Sequence, residues 1–289
     1  MANLKEVRIR IESVNSTKQI TSAMKMVAAS KLRKSQNAIM ALRPYAEKFA
    51  ELLEKTQTQA TAFSELREGG KILIIPLSSN KGLCGVFNAN VIRATINLIK
   101  EEYQTFLDND KLDILCVGSK VEESLKFKKY PVKGNENVLL DELSYEKASA
   151  FAERLMKDFE EKRYDKIIFV YNQFKNAATQ VLVTEQLLPI SHSQQTSDVK
   201  QQETDFIFQP NKEDIYKEML PKSLKMQVYK ILLDSYASEQ GARMVSMTQA
   251  TDNATELLKE LNLSYNKARQ SAITNELVEI VSGAEALKG

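Results

Sequence analysis

The chain has 289 residues, with 40 Lys and Arg against 38 Asp and Glu, so its formal net charge is +2. A hydrophobic fraction of 43% and a charged fraction of 27% are ordinary for a folded protein, which excludes global disorder. No apolar run approaches the roughly 18 residues of a membrane-spanning helix, and the first residues lack the apolar core of a signal peptide. We therefore expect a protein that is made and kept on the cytosolic side.

The first predicted element is a helix from about residue 4 to residue 55. All nine glycines come after residue 68, and the first proline is Pro44, which we expect to kink the helix without ending it. Apolar residues recur at helical spacing but form a thin stripe, which is typical of a coiled-coil seam. Members of this stripe include Leu4, Val7, Ile11, Val14, Ile20, Met24 and Val27.

The middle of the chain alternates predicted strands with predicted helices. The predicted strands are 71–77, 112–118, 165–171 and 180–187, and the predicted helices are 88–107 and 144–163. Ser144 is a plausible N-cap for the second of these helices. This alternation indicates an α/β domain with a mostly parallel, Rossmann-like sheet and flanking helices, followed by a polar loop over 191–205.

The last predicted element is a helix from residue 222 to residue 282, in which Gly241 is the only breaker. Helices of this length exceed the width of a globule, so we expect both terminal helices to project. The simplest way to bury their thin stripes is to wind them around each other as an antiparallel coiled coil. The expected domains are thus a coiled-coil helix over 1–57, an α/β domain over 70–210 and a second coiled-coil helix over 222–285.

Charge is distributed unevenly along the chain. Residues 1–57 hold 11 basic and 5 acidic residues, residues 58–221 hold 21 and 25, and residues 222–289 hold 8 of each. The stretch from Ser13 to Ala46 contains no acidic residue at all. One-signed charge over so many helical turns favours an acidic partner or sleeve around this helix, although a solvated lysine-rich face is the alternative.

Catalytic and metal-binding patterns are missing. The chain has one histidine and two cysteines, too few ligands for a structural zinc site, and it has no phosphate-binding loop of the P-loop or dinucleotide type. Residues 82–85, Gly-Leu-Cys-Gly, are better read as a tight turn that needs positive φ. Cys84 and Cys116 are more plausible as buried free thiols than as a disulfide. We expect no catalytic residue, metal or cofactor.

Three stretches of the chain resemble the gamma-subunit family of F-type ATP synthases, whose members form the central rotor shaft. The first is residues 8–31, with the core Ala-Met-Lys-Met, and the second is residues 81–88, Lys-Gly-Leu-Cys-Gly-Val-Phe-Asn. The third runs from Ser-Glu-Gln-Gly-Ala-Arg-Met at 238–244 to Ile-Thr-Asn-Glu-Leu-Val-Glu-Ile-Val at 273–281. The resemblance is collinear over the whole chain and is of bacterial type. Gly241 stands where members commonly have alanine, and Asn80 stands where aspartate is frequent.

The resemblance implies a non-catalytic subunit that couples rotation of a membrane ring to ATP synthesis or hydrolysis. Its implied partners are the alpha and beta subunits of the catalytic hexamer, the epsilon subunit and the proton-driven ring of c subunits. It implies a peripheral position on the cytoplasmic side of the cell (inner) membrane, without direct bilayer insertion and without nucleic acid. A basic coiled-coil protein that binds nucleic acid is the rival interpretation, since a basic stripe binds any polyanion.

The resemblance also implies contact residues. Four positions match those that face the hexamer in the family, and two aromatic residues match the foot segment that rests on the ring. The hexamer positions are Met24, Arg243, Gln270 and Thr274, and the foot positions are Phe206 and Phe208. Lys25 and Lys31 are further hexamer-contact candidates, chosen for their charge in the acid-free stretch.

Overall fold

The structure is a computed structural model that describes residues 4–56, 62–65, 67, 69–190, 209 and 211–286. The helices are α1 Leu4–Thr56, α2 Phe87–Glu102, α3 Gln104–Asp108, α4 Ser119–Phe127, α5 Tyr145–Glu160 and α6 Lys212–Ala286. The strands are β1 Ile72–Pro76, β2 Leu112–Cys116, β3 Val132–Asn135, β4 Lys166–Phe174 and β5 Gln180–Leu188. Two compact units can be distinguished. Unit 1 comprises residues 1–28 and 244–289, and unit 2 comprises residues 29–243.

In unit 1 the first part of α1 packs against the last part of α6. Buried positions on both helices are separated by multiples of seven residues, which is the spacing of a coiled-coil seam. They are Val7, Thr21 and Ala28 on α1, and Met247, Ala254 and Leu261 on α6. The hydroxyl of Thr251 donates a hydrogen bond to the hydroxyl of Thr21 at 2.9 Å. Residues 272–286 are all exposed, because α1 begins at Leu4 and an antiparallel pair leaves no α1 residue opposite them.

In unit 2 a five-stranded sheet has the order β3-β2-β1-β4-β5. All neighbouring strands are parallel except β4 and β5, which are antiparallel. Alternate residues of β1 face opposite sides: Leu73 and Ile75 pack with α5 and α6, whereas Ile72 and Ile74 pack with α2 and α4. The sheet therefore lies between two helical layers, as the alternation of strands and helices predicted.

The two ends of the parallel strands form two sides of the sheet, which contact different parts of the chain. We call the edge at which β1, β2 and β4 begin the amino edge, and the edge at which they end the carboxyl edge. Ile190, which follows β5, donates its backbone N–H to the carbonyl of Phe63 near the amino edge. Gln227 of α6 bonds to Glu185 in the middle of β5, and Gly241 lies against Ala177 in the β4–β5 turn. Within unit 2, α6 thus begins near the amino edge and passes to the carboxyl edge.

Most predicted elements are confirmed, including the two long helices, the four predicted strands and the N-cap at Ser144, whose hydroxyl accepts a bond from the N–H of Lys147 at 3.3 Å. Strand β3 and helix α4 were not predicted. Helix α6 begins at Lys212, ten residues before the predicted start, and continues through Pro221. The predicted loop over 191–205 lies outside the described residues.

Candidate functional site

The first group of candidate contact residues lies on α1. Met24 and Lys25 are half-buried and Lys31 is exposed, while the apolar neighbours Met26 and Val27 are 68% and 56% exposed. Within the described residues, no ion pair involves any basic side chain of the acid-free stretch from Ser13 to Ala46. Lys31 and Arg43 interact electrostatically with the buried carboxyl groups of Glu239 and Asp234, but no basic side chain of the stretch is held in a direct ion pair within the described residues. Most of the positive charge of this helix is therefore available to an acidic partner.

The second group lies at the free end of α6, in unit 1. Gln270 and Thr274 are both exposed and stand one helical turn apart, with the hydroxyl of Thr274 bonded to the carbonyl of Gln270 at 2.9 Å. Their neighbours are unusual for a solvated helix, because five apolar side chains project into solvent here. They are Ile273, Leu277, Val278, Ile280 and Val281, with exposures between 49% and 66%. Contiguous exposed apolar residues mark a surface that a partner covers.

Sequence reasoning missed this apolar end as a contact surface. The residues were recognised only as part of a motif, because their spacing is compatible with a buried seam. What distinguishes them is the absence of an opposing helix, and this depends on the register of α1 against α6. The signal was present in the unequal lengths of the two predicted helices.

Arg243 occupies a different environment from the other candidates. Its guanidinium lies 2.6 Å from the carboxylate of Glu239, and both side chains are about nine-tenths buried. It also donates hydrogen bonds to the backbone carbonyls of Lys81 at 3.0 Å and Gly82 at 3.3 Å. Burial raises the pKa of Glu239, and the neighbouring guanidinium opposes that rise. Arg243 therefore fastens the 81–85 turn to α6.

The turn that Arg243 holds presents an apolar tip. Positive φ occurs at Gly85, as predicted, and also at Leu83, whose side chain is 64% exposed. Below the tip, Cys84 is buried and its sulfur accepts a hydrogen bond from the side-chain amide of Asn88 at 3.2 Å. The same asparagine accepts from the N–H of Ser79 at 3.0 Å. These bonds fix the turn and leave Leu83 projecting from it.

The carboxyl edge of a parallel sheet is the usual ligand site of this architecture. Here the first N–H groups of α4, which could otherwise bind a phosphate, are occupied by other residues of the chain. The N–H of Ser119 donates to Asn80, that of Lys120 to the carbonyl of Ser79, and that of Val121 to the hydroxyl of Ser78. A Cβ added at Gly118 would lie 2.2 Å from the carbonyl oxygen of Ser78, so the two backbone segments are in close contact here.

Phe206 and Phe208 lie outside the described residues. Cys84 and Cys116 are buried free thiols, and burial raises the pKa of Cys116 to about 12, which disfavours the reactive thiolate. Among the described residues, no group of His, Cys, Asp and Glu could hold a metal ion. None of the described helices is both long and apolar enough to span a bilayer.

Comparison with known proteins agrees with the fold. The sequence profile of the ATP synthase family matches residues 3–287. The ATP synthase gamma chain of Christiangramia forsetii is 52% identical, and that of a Geobacter species is 42% identical, with each pair covered over 100% of both chains.

Solved structures also match. The chain is similar to part of the central stalk and c-ring structure of the Tetrahymena thermophila mitochondrial ATP synthase, with a TM-score of 0.56 and 25% identity over 80% of this chain and 99% of that one. A rotor chain of the Euglena gracilis mitochondrial enzyme has the same fold, with a TM-score of 0.65 and 22% identity over 93% and 98% of the two chains. The nucleic-acid interpretation finds no support in these similarities. The chain belongs to the family of ATP synthase gamma chains, the non-catalytic subunits of the central stalk.

Proposed function

We propose that this chain is the shaft that transmits rotation of a membrane ring of c subunits to three catalytic sites in a hexamer of alpha and beta subunits. The observation that carries the proposal is the free end of α6, with its exposed apolar residues from Ile273 to Val281. An apolar helix end without a partner in its own chain is expected to be covered by another protein. A hexamer that encloses it would serve as a bearing.

The coupling follows from symmetry. A pair of helices has no three-fold axis, so it cannot make the same contacts with three equivalent sites at once. Each site is stabilised in the conformation that its own contacts favour, and turning the shaft moves these contacts to the next site. Rotation and nucleotide affinity are then linked in both directions, which allows both synthesis and hydrolysis.

The contact residues divide into two classes by their surroundings. Met24, Lys25, Lys31, Gln270 and Thr274 are the direct hexamer contacts of the proposal, because they are exposed or half-buried. Arg243 acts indirectly, by holding the exposed tip of the 81–85 turn in position. This assignment modifies the expectation that Arg243 itself faces the hexamer.

The α/β domain, in the middle of the chain, is assigned to the ring. In this proposal the α/β domain over 70–210, together with Phe206 and Phe208, forms the foot that contacts the c subunits and the epsilon subunit. The helices over 1–57 and 222–285 form the shaft. The complex would then hold the chain peripherally on the cytoplasmic side of the cell (inner) membrane. Support comes from the family membership and from the position of this domain in the sequence, far from both the start of α1 and the end of α6.

Reversing the charge of Lys25 tests the shaft surface. We expect Lys25→Glu to lower ATP synthesis by the reconstituted complex at least about fivefold, because a partly desolvated charge pair at an interface is worth more than about 1 kcal/mol. The melting temperature of the isolated chain should change little, since Lys25 forms no ion pair within the described residues. Lys162→Glu, an exposed reversal in the turn after α5, is the matched control. Equal synthesis by the Lys25 and Lys162 variants would show that Lys25 lies on an idle solvated face.

A further inference from the structure

The carboxy-terminal end of α4 carries an exposed cluster of three lysines around one phenylalanine. Residues 126–129, Lys-Phe-Lys-Lys, are all exposed, and the ring of Phe127 is 88% exposed, the highest value among the exposed large apolar residues described. We call these four residues the basic tip. We propose that the basic tip contacts the headgroup layer of an anionic phospholipid membrane. The proposal rests on the proposed function, because that function brings the α/β domain next to the membrane.

The exposure of Phe127 follows from the geometry of α4. Val121 and Leu125 form the buried stripe of this helix against the sheet, and Phe127 lies two residues beyond, on the opposite side. No rotation of the helix could bury Phe127 without exposing Leu125. The ring therefore has no place in the core of unit 2.

The basic tip is held in a defined conformation. The N–H of Lys129 donates to the carbonyl of Lys126, and the N–H of Tyr130 donates to the carbonyl of Leu125, both at 3.0 Å. Lys129 has a φ of 63°, the left-handed conformation that commonly ends a helix. The tip is thus an exposed surface of defined conformation, and a partner that binds it does not first have to order it.

Charge at the tip is only partly neutralised. Lys126 pairs with Glu122 at 2.7 Å, but Lys128 and Lys129 form no ion pair within the part of the chain that the structure describes. No acidic residue occurs from 124 to 135. Exposed Asp108 and Asp110, at the end of α3, belong to the same edge, so charge alone does not distinguish this surface. What distinguishes it is the combination of unpaired lysines with an aromatic ring that is 88% exposed.

A lipid surface suits this combination better than an acidic protein does. A protein partner of standard size needs a patch of roughly 800 Å² with a packed apolar centre, whereas the basic tip offers a single apolar side chain, Phe127. A single aromatic ring flanked by lysines is suited to the headgroup layer, where the ring enters the apolar boundary and the lysines meet lipid phosphates. This contact is limited to one side chain and is not a membrane-spanning insertion.

The position of the tip in the fold agrees with this partner. Helix α4 follows β2 and returns from the carboxyl edge to the amino edge, so its last residues lie at the amino edge. Phe63, which follows α1, lies near the same edge, and α6 begins there. The proposed function makes the α/β domain, to which the tip belongs, the foot that meets the membrane ring.

Tryptophan fluorescence gives a direct test, because the chain contains no tryptophan. Phe127→Trp in the full chain reports on the tip, and Val138→Trp, 68% exposed in the short helix Asn137–Leu140 at the carboxyl edge, is the matched control. With vesicles of phosphatidylcholine containing about one third phosphatidylglycerol, we expect the emission of the Phe127→Trp chain to shift to shorter wavelength and to be quenched by brominated acyl chains. Vesicles of phosphatidylcholine alone, and the Val138→Trp chain, should show neither effect.

Replacing the lysines measures how much their charge contributes to vesicle binding. Each lysine near an anionic surface strengthens binding about fivefold, so adding Lys128→Gln and Lys129→Gln to Phe127→Trp should weaken partitioning about 25-fold. Binding of the chain to anionic vesicles with an unchanged Phe127→Trp spectrum would assign the binding to the basic helix α1 and overturn the proposal.

Experiments on the assembled complex distinguish a lipid partner of the basic tip from a protein partner. Co-assembly of the Phe127→Trp chain with alpha and beta subunits tests the proposed function independently of the lipid contact. If the complex forms and couples, but the tryptophan spectrum shifts equally in detergent and in anionic lipid, a protein occupies the tip and the lipid proposal is wrong. A shift that requires anionic lipid in the assembled complex supports the proposal.

Discussion

Replacing Arg243 with methionine is expected to lower the free energy of unfolding of unit 2 by about 3–5 kcal/mol, because it leaves a buried carboxylate without its partner. The carboxylate is that of Glu239, which lies 2.6 Å from the guanidinium. The same change removes the two hydrogen bonds to the carbonyls of Lys81 and Gly82. The variant should therefore have a lower free energy of unfolding, and its 81–85 turn should be held less firmly.

Two measurements separate these effects. Urea unfolding followed by circular dichroism gives the loss of stability, and limited digestion with trypsin gives the rate of cleavage after Lys81. The double variant Glu239→Gln/Arg243→Met should recover much of the stability, because no buried charge remains, but the turn should stay sensitive to trypsin. Arg33→Met, an exposed site on α1, serves as the control. If Arg243→Met unfolds at the same urea concentration as the unaltered chain, the buried ion pair contributes nothing and Arg243 is free to act elsewhere.

The second large effect concerns Asp234 on α6, whose side chain is buried in unit 2 at 6% exposure. Burial raises the pKa of this carboxyl from an ordinary 3.8 to about 6, helped by Glu185 and opposed by Lys230 and Arg43. The hydroxyl of Tyr171 donates its hydrogen bond to Glu185 at 2.6 Å and is therefore not available to Asp234.

The pH dependence follows from this raised pKa. The folded chain binds a proton at Asp234 more tightly than the unfolded chain does. The contribution of Asp234 to the free energy of unfolding is therefore greatest below pH 4 and falls as the pH rises from 4 to 6. A difference of about two pKa units corresponds to about 3 kcal/mol, which is the cost of keeping the carboxylate ionised in the folded state at pH 7.

Asp234→Asn should therefore stabilise the chain at pH 7 by up to about 3 kcal/mol and leave its stability nearly unchanged at pH 4. Urea unfolding at a series of pH values measures both quantities. Asp252→Asn, an exposed site on the same helix, should have little effect at either pH. A variant that is no more stable than the unaltered chain at pH 7 would show that water or Lys230 compensates the buried charge.

Much of the fold could be predicted because breakers and periodicity are local signals. The absence of glycine before residue 69 and the single Gly241 near the other end indicated the two long helices. Strand β3 could not be predicted in the same way. It is a short, half-exposed edge strand that follows Pro131 and contains Gly134, so it has no apolar run. The start of α6 was placed after Pro221, since proline usually ends a helix. Tyr216 and Leu220 are buried in the core, and their packing offsets the cost of the proline.

The candidate site was less predictable, since burial of single residues depends on tertiary contacts. Arg243 matched a family contact position, but its sequence context contains no sign of the bonds to Lys81 and Gly82, which are distant along the chain. Gly241 illustrates the same limit. From the sequence it would only weaken the helix, whereas an added Cβ would lie 3.1 Å from the carbonyl oxygen of Ala177 in the β4–β5 turn, a close approach that favours glycine.

The central claim is that this chain turns inside its hexamer, and observation of rotation tests it most directly. A cysteine substituted for exposed Lys217 near the start of α6 can carry a bead, because Cys84 and Cys116 are buried and should not be labelled. With the alpha and beta subunits fixed to a surface and ATP supplied, we predict that the bead turns in one direction and pauses at three positions, one for each catalytic site. ATP hydrolysis at the full rate with a bead that stays still, or that turns equally in both directions, would contradict the account.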